Sequence, residues 1–236
     1  GALEKALSRV ADHEARVTCC GRTDTGVHAL NQVAHFDSDA QRSERSWILG
    51  LNSHLPKAAS VLWIREVDDD FHARFSAFAR TYRYRILNRW IRPALESRRM
   101  SWCRTPLDVE AMNQAALTLL GEHDFTSFRA TACQARHAVR EIQAISVKRE
   151  GDIVTLDVTA NGFLYHMVRN IAGSLMHVGK GEAPVSWMKD TLEKMDRNAA
   201  APTAQPEGLY FVGARYPSNY GLPGEAPAFP RGRGLS

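Results

Sequence analysis

Phe78-Ala79-Arg80-Thr81-Tyr82-Arg83-Tyr84-Arg85-Ile86-Leu87-Asn88 alternates aromatic and aliphatic side chains with guanidinium groups. Successive side chains of an extended strand point to opposite faces. The pattern therefore predicts a long strand over 78–88, with Tyr82, Tyr84 and Ile86 on one face and Arg83 and Arg85 on the other. A hairpin is predicted from 139–149 and 152–160, turning at Glu150-Gly151-Asp152, where Val154, Leu156 and Val158 alternate with Thr155, Asp157 and Thr159. Shorter strands are expected at 16–20, 32–36 and 61–67, with a last one at 209–215. Apolar residues at helical spacing predict helices at 2–11, 44–55, 107–120 (after Pro106 and before Gly121), 163–178 and 185–196. In 163–178 the apolar face is Leu164, Val168, Ile171, Leu175 and Val178, and the polar face is His166, Arg169, Asn170, Gly173 and His177. Interleaved helices and strands of this kind make an α+β chain. It reads as two similar halves, 1–105 and 106–217, followed by a Pro/Gly-rich tail over 218–236 expected to lack fixed structure.

The 236 residues are 44% hydrophobic and 24% charged, enough to bury a core. No apolar run approaches the roughly 20 residues of a membrane-spanning helix, and Gly1-Ala2-Leu3-Glu4-Lys5 is charged where a leader would be apolar. Cys19, Cys20, Cys103 and Cys133 form no C-x-x-C pair, which fits a reducing cytoplasm. His28, His35, His166 and His177 show no metal-ligand spacing, so no metal is expected. Charge is unevenly spread. Residues 72–104 hold nine arginines, no lysine and one acid, Glu96; this segment is +8, and the rest of the chain is −4. Such a concentration is the footprint of a nucleic-acid-binding surface, and the competing reading is a solvated face laced with salt bridges.

Cys20-Gly21-Arg22-Thr23-Asp24-Thr25-Gly26-Val27-His28-Ala29 lies between two predicted strands. Taken alone, an aspartate between threonines is a turn former; two flanking glycines also allow a tight loop that presents an acid at a cleft. Gly21-Arg22-Thr23-Asp24 with Gly26-Val27-His28 resembles the catalytic motif of the tRNA pseudouridine synthase A family. So do, in family order, Phe71–Ala77, Tyr82-Arg83-Tyr84, Asp124–Arg129, His166–Ile171 and Gly208-Leu209-Tyr210. Thr25 stands where many relatives have alanine and Tyr165 where many have histidine.

The resemblance implies two ferredoxin-like halves sharing a mixed, mainly antiparallel sheet, with helices on one face and the catalytic cleft on the other. It implies isomerisation of uridine to pseudouridine at positions 38, 39 and 40 of the tRNA anticodon arm, by a cytoplasmic homodimer without metal or cofactor. Asp24 then matches the essential aspartate, Tyr82 the ring that packs on the target base, Arg169 the partner of the aspartate, and Arg22 a basic residue contacting RNA. Arg83 and Arg85, from the basic segment, are further candidates for substrate binding. The reaction breaks the C1′–N1 bond and forms C1′–C5 with no redox change, so one ionised carboxylate suffices, as nucleophile or as acceptor of a ribose proton. Two alternatives are a catalytically vestigial tRNA-binding or tRNA-folding protein and a nucleoside hydrolase, although the latter chemistry normally uses two carboxylates or a metal. Family members open with a strand that this chain lacks before its first helix. That strand would lie between 32–36 and 61–67, so those two segments are expected not to be hydrogen-bonded to each other.

Overall fold

The computed structural model describes residues 1–223. They form two compact units. Of the described residues, the smaller comprises 1–22, 32–77 and 216–223; the larger comprises Thr23–Asn31 and Phe78–Arg215. The chain thus does not divide at residue 105. The strand at 78–88 hydrogen-bonds to partners beyond residue 150, and this long-range ladder binds it to the C-terminal part of the chain.

In the smaller unit, α1 (Ala2–Ala11) ends at Asp12, whose φ of 62° is left-handed. α2 (Glu44–His54) begins at Ser43, whose hydroxyl accepts from the Ser46 N–H. Their shared core is Ala6, Leu7, Val10, Ala11, Trp47 and Leu51, with Phe36 edge-on to Trp47. The expected strands at 16–20 and 32–36 shrink to β1 (Thr18–Cys19) and β3 (Ala34–His35), paired antiparallel. No strand forms over 61–67. Instead the Asn52 side chain donates to the Val61 carbonyl at 2.9 Å and accepts its N–H at 2.7 Å, so a side-chain amide replaces a ladder partner there. Segments 32–36 and 61–67 are accordingly not hydrogen-bonded to each other, as expected. Within the expected tail, Ser218–Tyr220 form a 3-10 turn and the Tyr220 ring meets Phe71 at 5.0 Å; residues 224–236 lie outside the described ones.

The larger unit is built on one mixed sheet of seven strands, five of them in the order β2 (His28–Ala29), β9 (Leu209–Arg215), β4 (Ala79–Asn88), β8 (Ile153–Ala160) and β7 (Val139–Glu150). β6 (Gly121–Asp124) extends the β7 edge, and β5 (Ser101–Cys103) runs parallel to the end of β4. Among the described residues only the β2–β9 and β4–β5 pairs are parallel. The hairpin β7–β8 turns at Gly151, at φ 55°. β4 and the hairpin fall where their alternation predicts and β9 falls at the expected 209–215, whereas β2, β5 and β6 are too short to carry a pattern.

Three helices cover one sheet face: α3 (Val109–Leu117, capped by Asp108), α4 (Met167–Gly179) and α5 (Trp187–Glu193). Tyr84, Ile86, Val154, Leu156 and Val158 form one core with Met112, Ile171, Leu175 and Met188. α4 departs from the amphipathic reading, because Asn170 and Ser174 are fully buried. The segment over 197–204 lies against their side of the helix: Thr203 and Arg197 donate to Asn170 Oδ1, and the Ala201 N–H donates to Ser174. No helix among the described residues is long and apolar enough to cross a membrane.

Candidate active site

Asp24 opens a four-residue turn in which its carbonyl accepts from the Val27 N–H at 3.1 Å and Gly26 takes φ 87°. A side chain at Gly26 would meet both an unfavourable backbone conformation and Pro206, whose Cγ would lie 3.1 Å from a new Cβ. The chain then enters β2, where His28 and Ala29 pair with Tyr210 and Phe211 of β9 and the Leu30 N–H donates to the Phe211 carbonyl. The sheet edge thereby fixes the loop that carries the acid.

Arg169 stands in the first turn of α4, which starts four residues later than its periodicity predicts. His166 sits at its head in the left-handed region, φ 60°, and there its ring stacks on Tyr165 at 3.9 Å. The His166 Nε2 lies 3.0 Å and an Arg169 terminal nitrogen 3.3 Å from the same Asp24 oxygen, Oδ2. Arg169 is itself aimed: its Nε donates to the Ala204 carbonyl at 2.8 Å, and the Ala204 N–H donates to the Arg169 carbonyl at 3.1 Å. The Arg169, His166 and Asp24 side chains are 13%, 22% and 30% exposed, enough shelter to strengthen their attraction beyond that of a surface pair. Burial and the Arg169 charge hold the His166 imidazole below its ordinary pKa, against the opposing pull of Asp24. A neutral ring donates to Asp24 through its Nε2–H tautomer.

Tyr82 joins this group through neighbours. Its ring meets Phe163, three residues ahead of His166, edge-on at 4.9 Å, and Phe211, the strand partner of Ala29, at 5.2 Å. Strand alternation puts Tyr82 with Tyr84 and Ile86 on the helix-bearing face. The acid and its two partners gather at the N-terminal end of α4. The opposite sheet face carries Arg83 and Arg85. Arg83 forms a two-point pair with Asp157 of β8, at 2.6 and 3.0 Å, and Arg85 lies over the Tyr210 ring. Arg22 is exposed and belongs to the smaller unit. The residue that sequence reasoning missed is His166, which reads there only as one of the polar-face residues of 163–178. Its spacing of three from Arg169 was a usable signal; the left-handed backbone that turns its ring onto Asp24 was not.

A family model described as tRNA pseudouridine synthase matches residues 1–76 and 115–217. The chain belongs to the tRNA pseudouridine synthase family. Curated relatives bearing the name tRNA pseudouridine synthase A include one from Methylococcus capsulatus, 54% identical over 224 residues, which are 95% of this chain and 83% of that protein. One from Xanthomonas euvesicatoria is 56% identical over 223 residues, 94% of this chain and 87% of that protein. One from Xylella fastidiosa strain M23 is 54% identical over the same number of residues and the same shares.

Proposed function

We propose that this chain isomerises uridine to pseudouridine in the anticodon stem-loop of tRNA, at positions 38, 39 and 40, with Asp24 as the reacting carboxylate. The observation that carries the reading is the convergence of Arg169 and His166 on one oxygen of Asp24. Oδ1 takes part in neither contact and is the atom to attack the ribose C1′ or accept a ribose proton. The C1′–N1 bond breaks, the uracil ring turns, and it rejoins C1′ through C5; the C5 proton is lost and N1 gains one, so atoms and charge balance without a cofactor. Tyr82 supplies a ring against which the displaced base is held, since the target must leave its stack before its glycosidic bond is reached. The further parts of the reading are a homodimer, working in the cytoplasm and without metal. Sedimentation equilibrium that found only monomer at working concentrations would remove the dimer.

Asp24→Asn tests the reading. It keeps the shape and removes the charge at the reacting atoms, so it is expected to abolish pseudouridine formation on an anticodon stem-loop. Binding of tRNA should stay within about tenfold, because phosphate contacts dominate affinity. An Asn variant that turned over at a tenth of the normal rate would show that Asp24 is not the catalytic group.

A further inference from the structure

The structure divides the nine arginines of the basic segment into two sets. Arg74, Arg80, Arg83 and Arg85 have partners in the fold: the Phe75 ring, the Asn161 carbonyl, Asp157 and the Tyr210 ring. Arg89 donates to the Ile91 carbonyl and lies 3.9 Å from Asp152. Arg92, Arg98, Arg99 and Arg104 are different. Among the described residues none of them has an ion-pair partner; Arg92, Arg98 and Arg99 lie in the connection from β4 to β5, and Arg104 directly follows β5. The same connection exposes large apolar groups: Trp90 is 68% exposed, Ile91 67% and Leu95 92%. Arg104 lies 3.6 Å over the Trp90 ring, and Trp102, 41% exposed, donates through its indole N–H to the Arg89 carbonyl.

This surface is held in place. Pro93 and Met100 are buried beneath it, and the Arg99 and Met100 N–H groups both donate to the Glu96 carbonyl. It is also tied to the loop of Asp24. The Arg98 carbonyl contacts His28 Nε2 at 2.9 Å, the Arg99 carbonyl accepts from the Tyr210 hydroxyl at 2.6 Å, and the His28 and Tyr210 rings stack at 4.6 Å. His28 is four residues from Asp24.

We infer that the 89–104 connection is an RNA-docking surface, which holds nucleotides flanking the target while Trp90, Trp102 and Arg104 offer flat groups for unpaired bases. Unpaired guanidinium groups beside exposed indoles suit phosphate and stacked base together. A second copy of the chain is a poorer occupant: a two-fold contact here would set a cluster of four arginines that lack ion-pair partners against its own copy. The inference rests on RNA being the substrate.

Equilibrium binding of a whole tRNA transcript, measured across salt concentrations without reference to turnover, tests it. Trp90→Ala should weaken binding roughly tenfold, as expected when one base loses its stacking partner. Arg92→Gln with Arg98→Gln should lower the slope of log affinity against log salt by roughly 0.9 for each phosphate that is no longer neutralised. Lys189→Gln, an exposed α5 cation paired with Glu193, serves as the control and should leave the slope unchanged. If Trp90→Ala loses its thermal transition, the double arginine variant alone decides. Unaltered affinity and slope in variants of a wild type that binds tRNA would overturn the docking surface and leave the isomerase reading standing. A wild type that bound no tRNA would overturn both. Variants that shifted the oligomeric state with an unaltered slope would hand the surface to a second copy.

Discussion

His166 and Arg169 both reach Asp24 Oδ2, but they are unequal partners. Arg169 is permanently charged and braced by the Ala204 carbonyl, whereas His166 is neutral at neutral pH and adds one directed hydrogen bond. A hydrogen bond to a charged group contributes about 1.5–3 kcal/mol, so His166→Ala should lower turnover by tenfold or more, and His166→Gln, which keeps a donor, should recover part of it. Arg169→Lys should recover little, because a single ammonium cannot span Ala204 and Asp24 as a guanidinium fork does. His166 also makes a pH prediction with a definite sign. Its folded pKa is lowered, chiefly by burial and then by Arg169. Below about pH 6.5 the unfolded chain therefore takes up this proton first, and stability falls as pH drops. Thermal midpoints at pH 7.5 and 5.5 should show a larger acid loss in the wild type than in His166→Gln; equal losses would refute the assignment.

At the scale of an element, α4 is held on both sides, by the sheet and by the 197–204 segment. Gly173 marks the tightest approach, since a Cβ there would lie 2.1 Å from the Pro202 carbonyl oxygen. Gly173→Ala sets two effects against each other. Alanine gains about 1 kcal/mol of helix propensity, while overpacking against backbone costs about 1–3 kcal/mol or more. So deep an overlap with a backbone atom cannot be relieved by a side-chain rotation, so the overlap wins. The variant should unfold at lower denaturant and lose turnover as well, because the displaced segment includes Ala204, which aims Arg169. An increase in denaturant midpoint would contradict this account of the helix.

Across the whole molecule, positive charge does two jobs that composition cannot separate. Arg83 meets Asp157 across the β4–β8 ladder, 74 residues away, so its charge is spent inside the sheet face. Arg83→Ala should therefore cost about 1 kcal/mol of stability or less, the usual worth of a half-exposed pair. It should barely move the salt dependence of tRNA binding, in contrast to Arg92 and Arg98. A full unit of slope lost with Arg83 would return it to the RNA-binding set. Arg85, over Tyr210, sits between the two cases and links the sheet to the docking connection.

Local pattern determined much of this protein. Period-two alternation located β4 and the β7–β8 hairpin because each strand is long enough to repeat itself against one apolar face. Helical spacing located five helices in order, and the loop motif singled out Asp24. What tertiary structure alone decided are pairings whose partners lie far apart in the chain. Asp24 and Arg169 are 145 residues apart, yet both belong to the larger unit, because β2 adds the Asp24 loop to β9. Asn170 reads as polar surface until the 197–204 segment covers it. Arg83 reads as free charge until β8 brings Asp157, and 61–67 reads as a strand although the Asn52 amide takes its backbone groups. His166 reads as a surface histidine until a left-handed backbone turns it toward the acid. Side-chain spacing along a strand or helix records which face is apolar; it carries no record of which distant hydrogen-bonding group will arrive to meet the other face.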